Sequence, residues 1–331
     1  MTSPWPNCAS AGKSNNPDEL TIYIAPGQRH DGLVGFIFGG MGMFIMDGGV
    51  GQELVKRKGG APGPLWSAMA ALEDPESLTD LHRDFLEAGG RLVTLNTYSG
   101  TRQRLRRHGV EDIFAKLHQA SMECALRARD TARCDHRADV KIAICLPPLM
   151  ASYHPETHPS ADEALESYGE IISLHEENAD LALAETMSSL AEGRDVVAAS
   201  AGHKIPLWLS FTLDDQDAAL LRSGEKLSDA VTLRGHAEAI LLNCSVPEVI
   251  TEGLKELTGT SLPMGAYANG FTSVAALEPG KTVAVLEARK NLGPEAYADF
   301  ADQWVAMGAS IIGGCCEIGP EHIAELARRH G

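Results

Sequence analysis

The chain has little positive charge and few aromatic side chains. Its 331 residues hold 28 Lys plus Arg against 45 Asp plus Glu, a formal net charge of −17, and 5% are Phe, Trp or Tyr. An acidic surface repels nucleic-acid phosphates and anionic lipid headgroups, so neither a nucleic acid nor a membrane surface is an expected partner. So low an aromatic content does not indicate a site rich in aromatic rings.

Long apolar runs are also missing. No stretch approaches the roughly 20 residues that span a bilayer. The apolar stretch at residues 33–46 is interrupted by four glycines and lacks the basic flank that begins a signal peptide. The hydrophobic fraction of 44% is typical of a globular protein with a sizeable core. We therefore expect a cytoplasmic protein, whose seven cysteines stay as thiols.

Residues 1–40 differ in composition from the rest of the chain, since they are rich in Pro, Asn, Ser and Gly and show no sustained period. They predict an N-terminal extension, poorly ordered at least in part, outside a domain over residues 41–331. The alternative is an additional layer that closes one end of the fold. Regular patterning begins at Met41 and Met43, so a translation start at either methionine is a further alternative.

Short apolar runs alternate with longer amphipathic stretches from residue 43 onward. Eight runs have the length and continuity of parallel strands buried on both faces. They cover residues 44–46, 91–95, 140–146, 181–184, 206–211, 239–242, 262–267 and 310–312. Helix-start signals lie between them, such as Asp74 before Pro75, and Pro247, Pro294 and Pro320. The alternation predicts an α/β fold of the (β/α)8 TIM-barrel class. A doubly wound sheet is less favoured, because the turn after the first run lacks the G-x-G-x-x-G spacing.

Three cysteines fall at the carboxyl ends of the predicted strands, where a barrel of this class carries its active site. Cys244 follows the sixth run, and the adjacent Cys315 and Cys316 follow the eighth. Three thiolates select zinc and leave one tetrahedral position open, as catalytic zinc sites do. The alternative is packing alone, since a buried thiol behaves as a small apolar group. We give that second interpretation to Cys124, Cys134 and Cys145.

Six phrases of the sequence resemble the homocysteine S-methyltransferase family, in the family's order and from about residue 43 to the C-terminus. They are MDGGVGQEL (46–54), LVTLNTYSGT (92–101), LALAET (181–186), LLNCSVPEV (241–249), GAYANG (265–270) and GGCCEIGPEHI (313–323). The Asn-Cys and Gly-Gly-Cys-Cys phrases together are specific, whereas Asp-Gly-Gly alone is a weak signal. The family's barrels bind zinc.

The resemblance implies an enzyme, a zinc-dependent homocysteine S-methyltransferase. Such an enzyme moves a methyl group from a sulfonium donor, S-methylmethionine or S-adenosylmethionine, to the zinc-bound thiolate of homocysteine and so forms methionine. Cys244, Cys315 and Cys316 are the implied Zn²⁺ ligands and act in catalysis through the metal. Coordination explains the chemistry, because a thiol is a poor nucleophile until it is deprotonated.

The resemblance also implies how homocysteine, a zwitterion, is held. Asp47 and Glu185 would bind its ammonium, and backbone amides around Gly48 and Gly49 would receive its carboxylate. Asn269 matches a position that in part of the family offers its amide oxygen to zinc when substrate is absent. The alternatives are a turn or helix cap for Asp47 and a structural ion pair for Glu185.

The methyl donor is less closely defined by the sequence. Trp66 lies in a stretch similar to S-methylmethionine-type enzymes and could cover a sulfonium, although helix packing is an equal alternative. Thr186 stands where betaine enzymes have Tyr, which counts against betaine. Other substrate-site candidates near the mouth are Asn96, Tyr98, Tyr153 and Trp208.

Three other functions stay open at this point. One is a betaine–homocysteine methyltransferase, and another is a stand-alone homocysteine module that works with a corrinoid partner. The third is a non-enzyme, a redox or zinc sensor built on the vicinal thiols. The partners expected for the favoured function are small molecules, homocysteine and a methyl donor, and the sequence does not predict the oligomeric state.

Two clusters of ionisable residues receive a plainer interpretation. Four arginines crowd one short segment, Arg102, Arg104, Arg106 and Arg107, and on an acidic protein they predict a solvated helix face. His154 and His158 have a metal-like spacing, but Pro155 lies between them, so a loop that covers the donor is favoured over a second metal site.

Overall fold

The computed structural model describes residues 42–331 except 60–62, 64, 66, 236 and 282. The predicted extension at residues 1–40, its boundary, Met41 and Trp66 therefore lie outside the described residues. Within the described ranges, no helix is both long enough and apolar enough to cross a membrane.

Eight parallel strands form one ring-shaped sheet. They are β1 (Phe44–Ile45), β2 (Leu92–Thr94), β3 (Lys141–Leu146), β4 (Leu181–Met187), β5 (Leu207–Phe211), β6 (Ala237–Asn243), β7 (Met264–Tyr267) and β8 (Ala309–Ile312). Each strand from β2 to β7 pairs with the strand that follows it in sequence, and β8 pairs with β1. The N–H of Arg91, just before β2, donates to the carbonyl of Ile45 on β1 at 2.7 Å. The ring is thus closed by backbone contacts, and the barrel prediction is confirmed.

Helices connect the strands on the outside of the ring. They are α1 (Val50–Lys58), α2 (Ala70–Glu73), α3 (Pro75–Glu87), α4 (Arg102–Arg107), α5 (Phe114–Thr131), α6 (Ala161–His175), α7 (Leu190–Ser200), α8 (Leu227–Ala230), α9 (Pro247–Glu256), α10 (Pro294–Ala306) and α11 (Pro320–His330). Single turns of 3₁₀ helix cover Glu111–Ile113, Arg137–Asp139, Pro155–Thr157, Val231–Arg234 and Val283–Val285.

Proline marks the helix starts that the sequence predicted. Pro75 begins α3, and the side chain of Asp74 accepts the N–H of Ser77 at 3.3 Å as its N-cap. The prolines at positions 247, 294 and 320 begin α9, α10 and α11. Proline is favoured there because its fixed φ suits a helix and the missing N–H has no intrahelical partner at that position.

Most of the apolar core of the described residues lies between the strands and the surrounding helices, and a further part fills the inside of the ring. Inside the ring, Phe44 of β1 meets Trp208 of β5 edge to face, with ring centroids 5.4 Å apart. The sequence suggested Trp208 as an aromatic group near the mouth, and this was wrong. Its indole is fully buried in the barrel interior, because an inward position in the middle of a barrel strand fills the core rather than the loops above it.

Candidate active site

A pocket opens at the carboxyl ends of the strands. Nine of the eleven predicted site residues line it: Asp47, Gly48, Gly49, Asn96, Tyr98, Glu185, Cys244, Cys315 and Cys316. Trp66 lies outside the described residues, and Asn269 does not line the pocket. The loops after five different strands therefore converge on one cavity, although their residues are far apart in sequence.

The three predicted cysteines lie together in this pocket. Cys244 directly follows β6, and Cys315 and Cys316 follow β8 after two glycines. Cys244 and Cys315 form a disulfide, with their Cα atoms 5.8 Å apart. We expected free thiols throughout, and this pair differs because strands six and eight bring the two side chains into contact. Cys316 is a free, buried thiol.

The cysteine cluster fits a metal only in its reduced state. With the disulfide formed, no group of three or more His, Cys, Asp or Glu side chains in the described part of the chain is arranged to hold a metal ion. Reduction would return three sulfur ligands to one wall of the pocket. Such a donor set suits zinc, and its open side would face the cavity.

Asp47 is held rigidly below the mouth of the pocket. Its carboxylate accepts the backbone N–H of Thr94 at 2.7 Å and the Thr94 hydroxyl at 2.9 Å. The side chain is 3% exposed. Burial raises the pKa of Asp47 to about 7, although the hydrogen bonds from Thr94 act in the opposite direction. The carboxylate therefore lacks a neutralising partner and would gain from a bound cation.

Glu185 is a second buried carboxylate, and no described residue is its cationic partner. The thiol of Cys145 donates to its Oε1 at 2.9 Å. Burial raises the pKa of Glu185 to about 7, the bond from Cys145 lowers it, and the charge of Asp47 raises it further. The sequence interpretation of Cys145 as a packing group missed this contact. The available signal was that residue 145 lies on a strand beside the one that carries Glu185.

Strained backbone surrounds the same pocket. In the described part of the chain, four non-glycine residues have positive φ: Tyr153 at 67°, Thr186 at 63°, Cys244 at 50° and Glu317 at 70°. Two of them line the cavity, and the other two neighbour Glu185 and Cys316. Such conformations are costly and persist where the surroundings enforce them, typically at functional sites.

Asn243 enforces one of these conformations. Its Oδ1 accepts the N–H of Thr186 at 2.9 Å and the hydroxyl of Ser210 at 2.8 Å, and its Nδ2 donates to the Thr186 hydroxyl at 2.9 Å. The register between β4 and β5 shifts in the same region. One buried amide thus connects three strands and fixes the backbone beside Glu185.

The two glycines after β1 allow a close backbone approach. A Cβ at Gly48 would overlap the carbonyl of Ile318, and one at Gly49 would overlap the backbone of Cys315. The N–H of Gly49 donates to the carbonyl of Ile318 at 2.9 Å. That N–H is therefore engaged within the protein, whereas binding of the substrate carboxylate by the amides around Gly48 and Gly49 stays a prediction. The glycines let the turn pack on the cysteine loop.

The remaining predicted residues differ in their placement. Asn96 exchanges hydrogen bonds with Ser67, its Oδ1 accepting at 2.9 Å and its Nδ2 donating at 2.8 Å. The Tyr98 hydroxyl meets the Ser152 hydroxyl at 2.8 Å. Asn269 is fully buried, and its Oδ1 accepts the N–H of Phe271 at 3.1 Å. Its amide oxygen is therefore turned to the backbone, in contrast to the expected ligand role.

The four arginines of α4 do not share one environment, so the solvated-face interpretation is only half correct. Arg102 and Arg106 form two-pronged contacts with Glu170 and Glu111. Arg104 and Arg107 instead line the pocket. Helical periodicity alone could not separate them, because the pocket wall is supplied by loops distant in sequence.

Two loops cover the mouth. Residues 150–153 and 277–281 both line the cavity, and Nε2 of His154 contacts the carbonyl of Leu277 at 2.9 Å. His158 pairs with Asp195 at 2.9 Å instead. The two histidines thus have separate partners, which agrees with a covering loop rather than a shared metal site.

Comparisons with known proteins agree with this geometry. The family model described as Homocysteine S-methyltransferase matches residues 44–330. The chain is 29% identical to the homocysteine S-methyltransferase of Escherichia coli, over 87% of this chain and 95% of that protein. It is 27% identical to a selenocysteine Se-methyltransferase of Brassica oleracea, over 87% and 89% of the two chains. The crystal structure of the E. coli homocysteine methyltransferase MmuM in its metallated form matches with a TM-score of 0.75 and 26% identity, covering 89% of this chain and 98% of that one.

Proposed function

The chain belongs to the homocysteine S-methyltransferase family, and we propose that it transfers a methyl group from a sulfonium donor, S-methylmethionine or S-adenosylmethionine, to the sulfur of homocysteine to form methionine. The observation that carries the proposal is the shared pocket of three cysteines and two buried carboxylates. The cysteines suit a thiol-activating metal, and the carboxylates suit the ammonium of an amino acid.

Zn²⁺ is the cofactor we propose, with Cys244, Cys315 and Cys316 as its ligands after reduction of the disulfide. All three cysteines line the cavity, and the side chains of Cys244 and Cys315 are in contact, which supports a three-sulfur site open to the cavity. When bound, zinc supplies a means of keeping a substrate thiol ionised near neutral pH. Because the ligands must be thiolates, we place the protein in the reducing cytoplasm.

Asp47 and Glu185 would orient the acceptor. Both carboxylates are buried and have no cationic partner among the described residues, and burial raises the pKa of each to about 7. A substrate ammonium would neutralise them and lower both pKa values. Thr94 and Cys145 hold the two carboxylates in place, in the pocket that the three cysteines also line.

The donor needs positioning more than acid–base catalysis. A sulfonium methyl is already activated, so the protein has to align the acceptor sulfur, the methyl carbon and the leaving sulfur. Tyr98 and Tyr153 line the pocket, and each ring has an arginine over one face, Arg104 and Arg222 respectively. The other face of either ring can lie against a sulfonium cation. We propose a sulfonium rather than betaine, since Thr186 stands where betaine enzymes carry Tyr.

The first test combines metal analysis with a donor panel. The wild type is prepared under reducing conditions and compared with Cys316→Ser, with Cys134→Ser as a control at a cysteine outside the pocket. We expect about one zinc per chain in the wild type and the control, and loss of zinc and of methionine formation in Cys316→Ser. Methionine is measured with homocysteine and each of S-methylmethionine, S-adenosylmethionine and betaine.

The possible outcomes separate the parts of the proposal. Transfer from betaine alone would contradict the donor class and keep the metal site. Zinc-loaded protein that works only with a methylated corrinoid protein would replace the proposal with the stand-alone module. Full zinc occupancy in Cys316→Ser would contradict the ligand set.

A further inference from the structure

Of the four arginines of α4, two have a carboxylate partner and two have none among the described residues. Arg102 and Arg106 face Glu170 and Glu111, with N–O distances of 2.5–2.8 Å. Arg104 and Arg107 form no ion pair with a carboxylate of the described chain, and both line the pocket. The chain has 45 acidic residues, enough to provide carboxylate partners for Arg104 and Arg107 as well.

Arg104 is held in place without an ion pair to any described carboxylate. Its Nη2 donates to the carbonyl of Pro148 at 2.8 Å, and its guanidinium lies 5.1 Å from the ring centroid of Tyr98. Its Nε is buried and bonds to no described residue. Burial is the largest influence on its pKa and lowers it. An orphaned guanidinium N–H in a cavity predicts an anionic ligand, because a buried unsatisfied charged donor is costly.

Arg107 lines the same pocket as Arg104. Among the described residues its Nη2 donates to the carbonyl of Met150, at 3.5 Å, and Lys281 is a further cationic residue of the lining. Asp47 and Glu185 line the pocket as well. The pocket therefore combines an acidic pair, which suits an ammonium, with a basic pair, which suits a carboxylate.

Tyr98 connects Arg104 with the methyl donor. The guanidinium of Arg104 lies 5.1 Å from the centroid of this ring, and Tyr98 lines the pocket where we propose that the sulfonium lies. Asp47 and Glu185 suit the ammonium of the acceptor. The two arginines therefore suit a carboxylate of the substrate that lies beside Tyr98, which is the donor.

We propose that Arg104 and Arg107 form the subsite for the carboxylate of the methyl donor, which would make this enzyme selective for sulfonium donors that also carry a carboxylate. The inference rests on the proposed function and deepens it. The guanidinium of Arg104, with its planar fork, would receive the carboxylate while the sulfonium lies against Tyr98. The donor is thus oriented by its anionic end.

Paired variants test the subsite. Arg104→Gln and Arg107→Gln are compared with Arg104→Lys, which keeps the charge, and with Arg106→Gln on the exposed side of the same helix. The donors are S-methylmethionine and trimethylsulfonium, which lacks a carboxylate. We expect each Gln variant to raise the KM for S-methylmethionine by about 10- to 100-fold, the loss of one charge-assisted hydrogen bond. The KM for homocysteine, turnover of trimethylsulfonium and all constants of Arg106→Gln should stay unchanged, and Arg104→Lys should recover part of the loss.

Four results would overturn the inference, and one of them concerns the proposed function as well. An unchanged KM for S-methylmethionine would exclude the subsite. An increase in the KM for homocysteine instead would assign the arginines to the acceptor. Equal losses with trimethylsulfonium would show a structural role. Wild-type protein that accepts no sulfonium donor would overturn the proposed donor class and the subsite with it, whereas the first three leave the donor class intact.

Discussion

The thiol of Cys145 illustrates how a single buried contact influences the ionisation of Glu185, the carboxylate that we propose binds the substrate ammonium. It is the described partner of Oε1 of Glu185, and both side chains are buried. A hydrogen bond to the ionised carboxylate favours that form and so lowers the pKa of Glu185 against the effect of burial. Because the pKa of Glu185 is about 7, even one such bond changes the fraction of Glu185 that is ionised at neutral pH and able to bind an ammonium.

Replacing Cys145 by Ala should therefore weaken acceptor binding in a pH-dependent way. Loss of the donor raises the pKa of Glu185 above about 7, so less carboxylate is ionised at neutral pH. We expect kcat/KM for homocysteine to fall several-fold at pH 7, by about 1 kcal/mol, and the acidic limb of its pH profile to move to higher pH. Cys145→Ser, which keeps a donor, should recover most of the loss.

Cys124 offers the matched control. It is also a buried thiol, but it donates to the carbonyl of Pro75 and lies outside the pocket. Cys124→Ala should leave the pH profile in place. A Cys145→Ala profile that coincides with the wild type, or moves to lower pH, would refute the role given to this thiol.

The sequence predicted which residues line the pocket better than it predicted their surroundings. Asp47 and the three cysteines could be placed there because they lie at or just beyond the ends of apolar runs that end at one face of a barrel. The roles of Cys145 and Arg104 could not be predicted, because each depends on a partner supplied by another strand or loop. The engaged N–H of Gly49 was missed for the same reason.

At the scale of elements, α10 fixes the ends of two strands that lead into the site. The hydroxyl of Tyr297 on this helix donates to the carbonyl of Gly313 at 2.6 Å and accepts the N–H of Ala268 at 3.0 Å. Gly313 precedes the cysteine pair after β8, and Ala268 follows β7. The helix therefore holds the backbone that carries two of the proposed metal ligands.

Tyr297→Phe should separate this positioning effect from simple stability. Removal of the hydroxyl leaves two buried backbone groups without their partner and should cost about 1–3 kcal/mol of unfolding free energy. It should also reduce the zinc affinity of the reduced protein, measured by competition with a chelator. The control is Trp304→Phe on the same helix, which loses the bond from Nε1 to the Thr251 hydroxyl at 2.8 Å. It should lose stability without losing zinc affinity, and equal losses of affinity in both variants would contradict the positioning role.

The first residue of a helix could be predicted where a neighbouring residue in the sequence marks it, as the prolines do that begin α9, α10 and α11. The irregular end of β4 could not. The apolar run stops at Ala184, yet the strand continues to Met187 with a register shift and a positive φ at Thr186. Asn243 of β6 stabilises that irregularity through three hydrogen bonds, which no local pattern reveals.

At the scale of the whole molecule, buried ionisable groups determine how stability depends on pH. Burial raises the pKa of Asp47, Glu185 and Glu192 to about 7. A folded-state pKa above the unfolded value means that these groups cost stability as pH rises from about 4.5 to 7. Buried histidines reduce stability at acid pH, because burial lowers the pKa of His82 to about 3 and that of His118 to about 4.

The acid side of the stability curve can be tested at these two histidines. Unfolding lets each imidazole bind a proton below pH 6.5 that the folded state excludes, so each costs stability as pH falls toward its folded pKa, by up to about 1.4 kcal/mol per pH unit. Neither ring nitrogen of His82 bonds to a described residue. His118 contacts His175 at 2.9 Å and the carbonyl of Gly100 at 3.1 Å.

His82→Leu and His118→Leu should therefore act alike in acid and oppositely at neutral pH. Both remove a group that takes up a proton on unfolding, so both should flatten the loss of stability between about pH 6.5 and 4. At pH 7, His82→Leu should stabilise the protein by about 1–2 kcal/mol, because it removes unsatisfied buried nitrogens, whereas His118→Leu should destabilise it by leaving His175 and Gly100 without a partner. Urea unfolding from pH 4 to 8 measures both effects. A His82→Leu protein that is less stable than the wild type at pH 7 would show that the imidazole makes a stabilising hydrogen bond. A His82→Leu protein whose stability falls with decreasing pH as steeply as that of the wild type would show that burial does not set the pKa of His82.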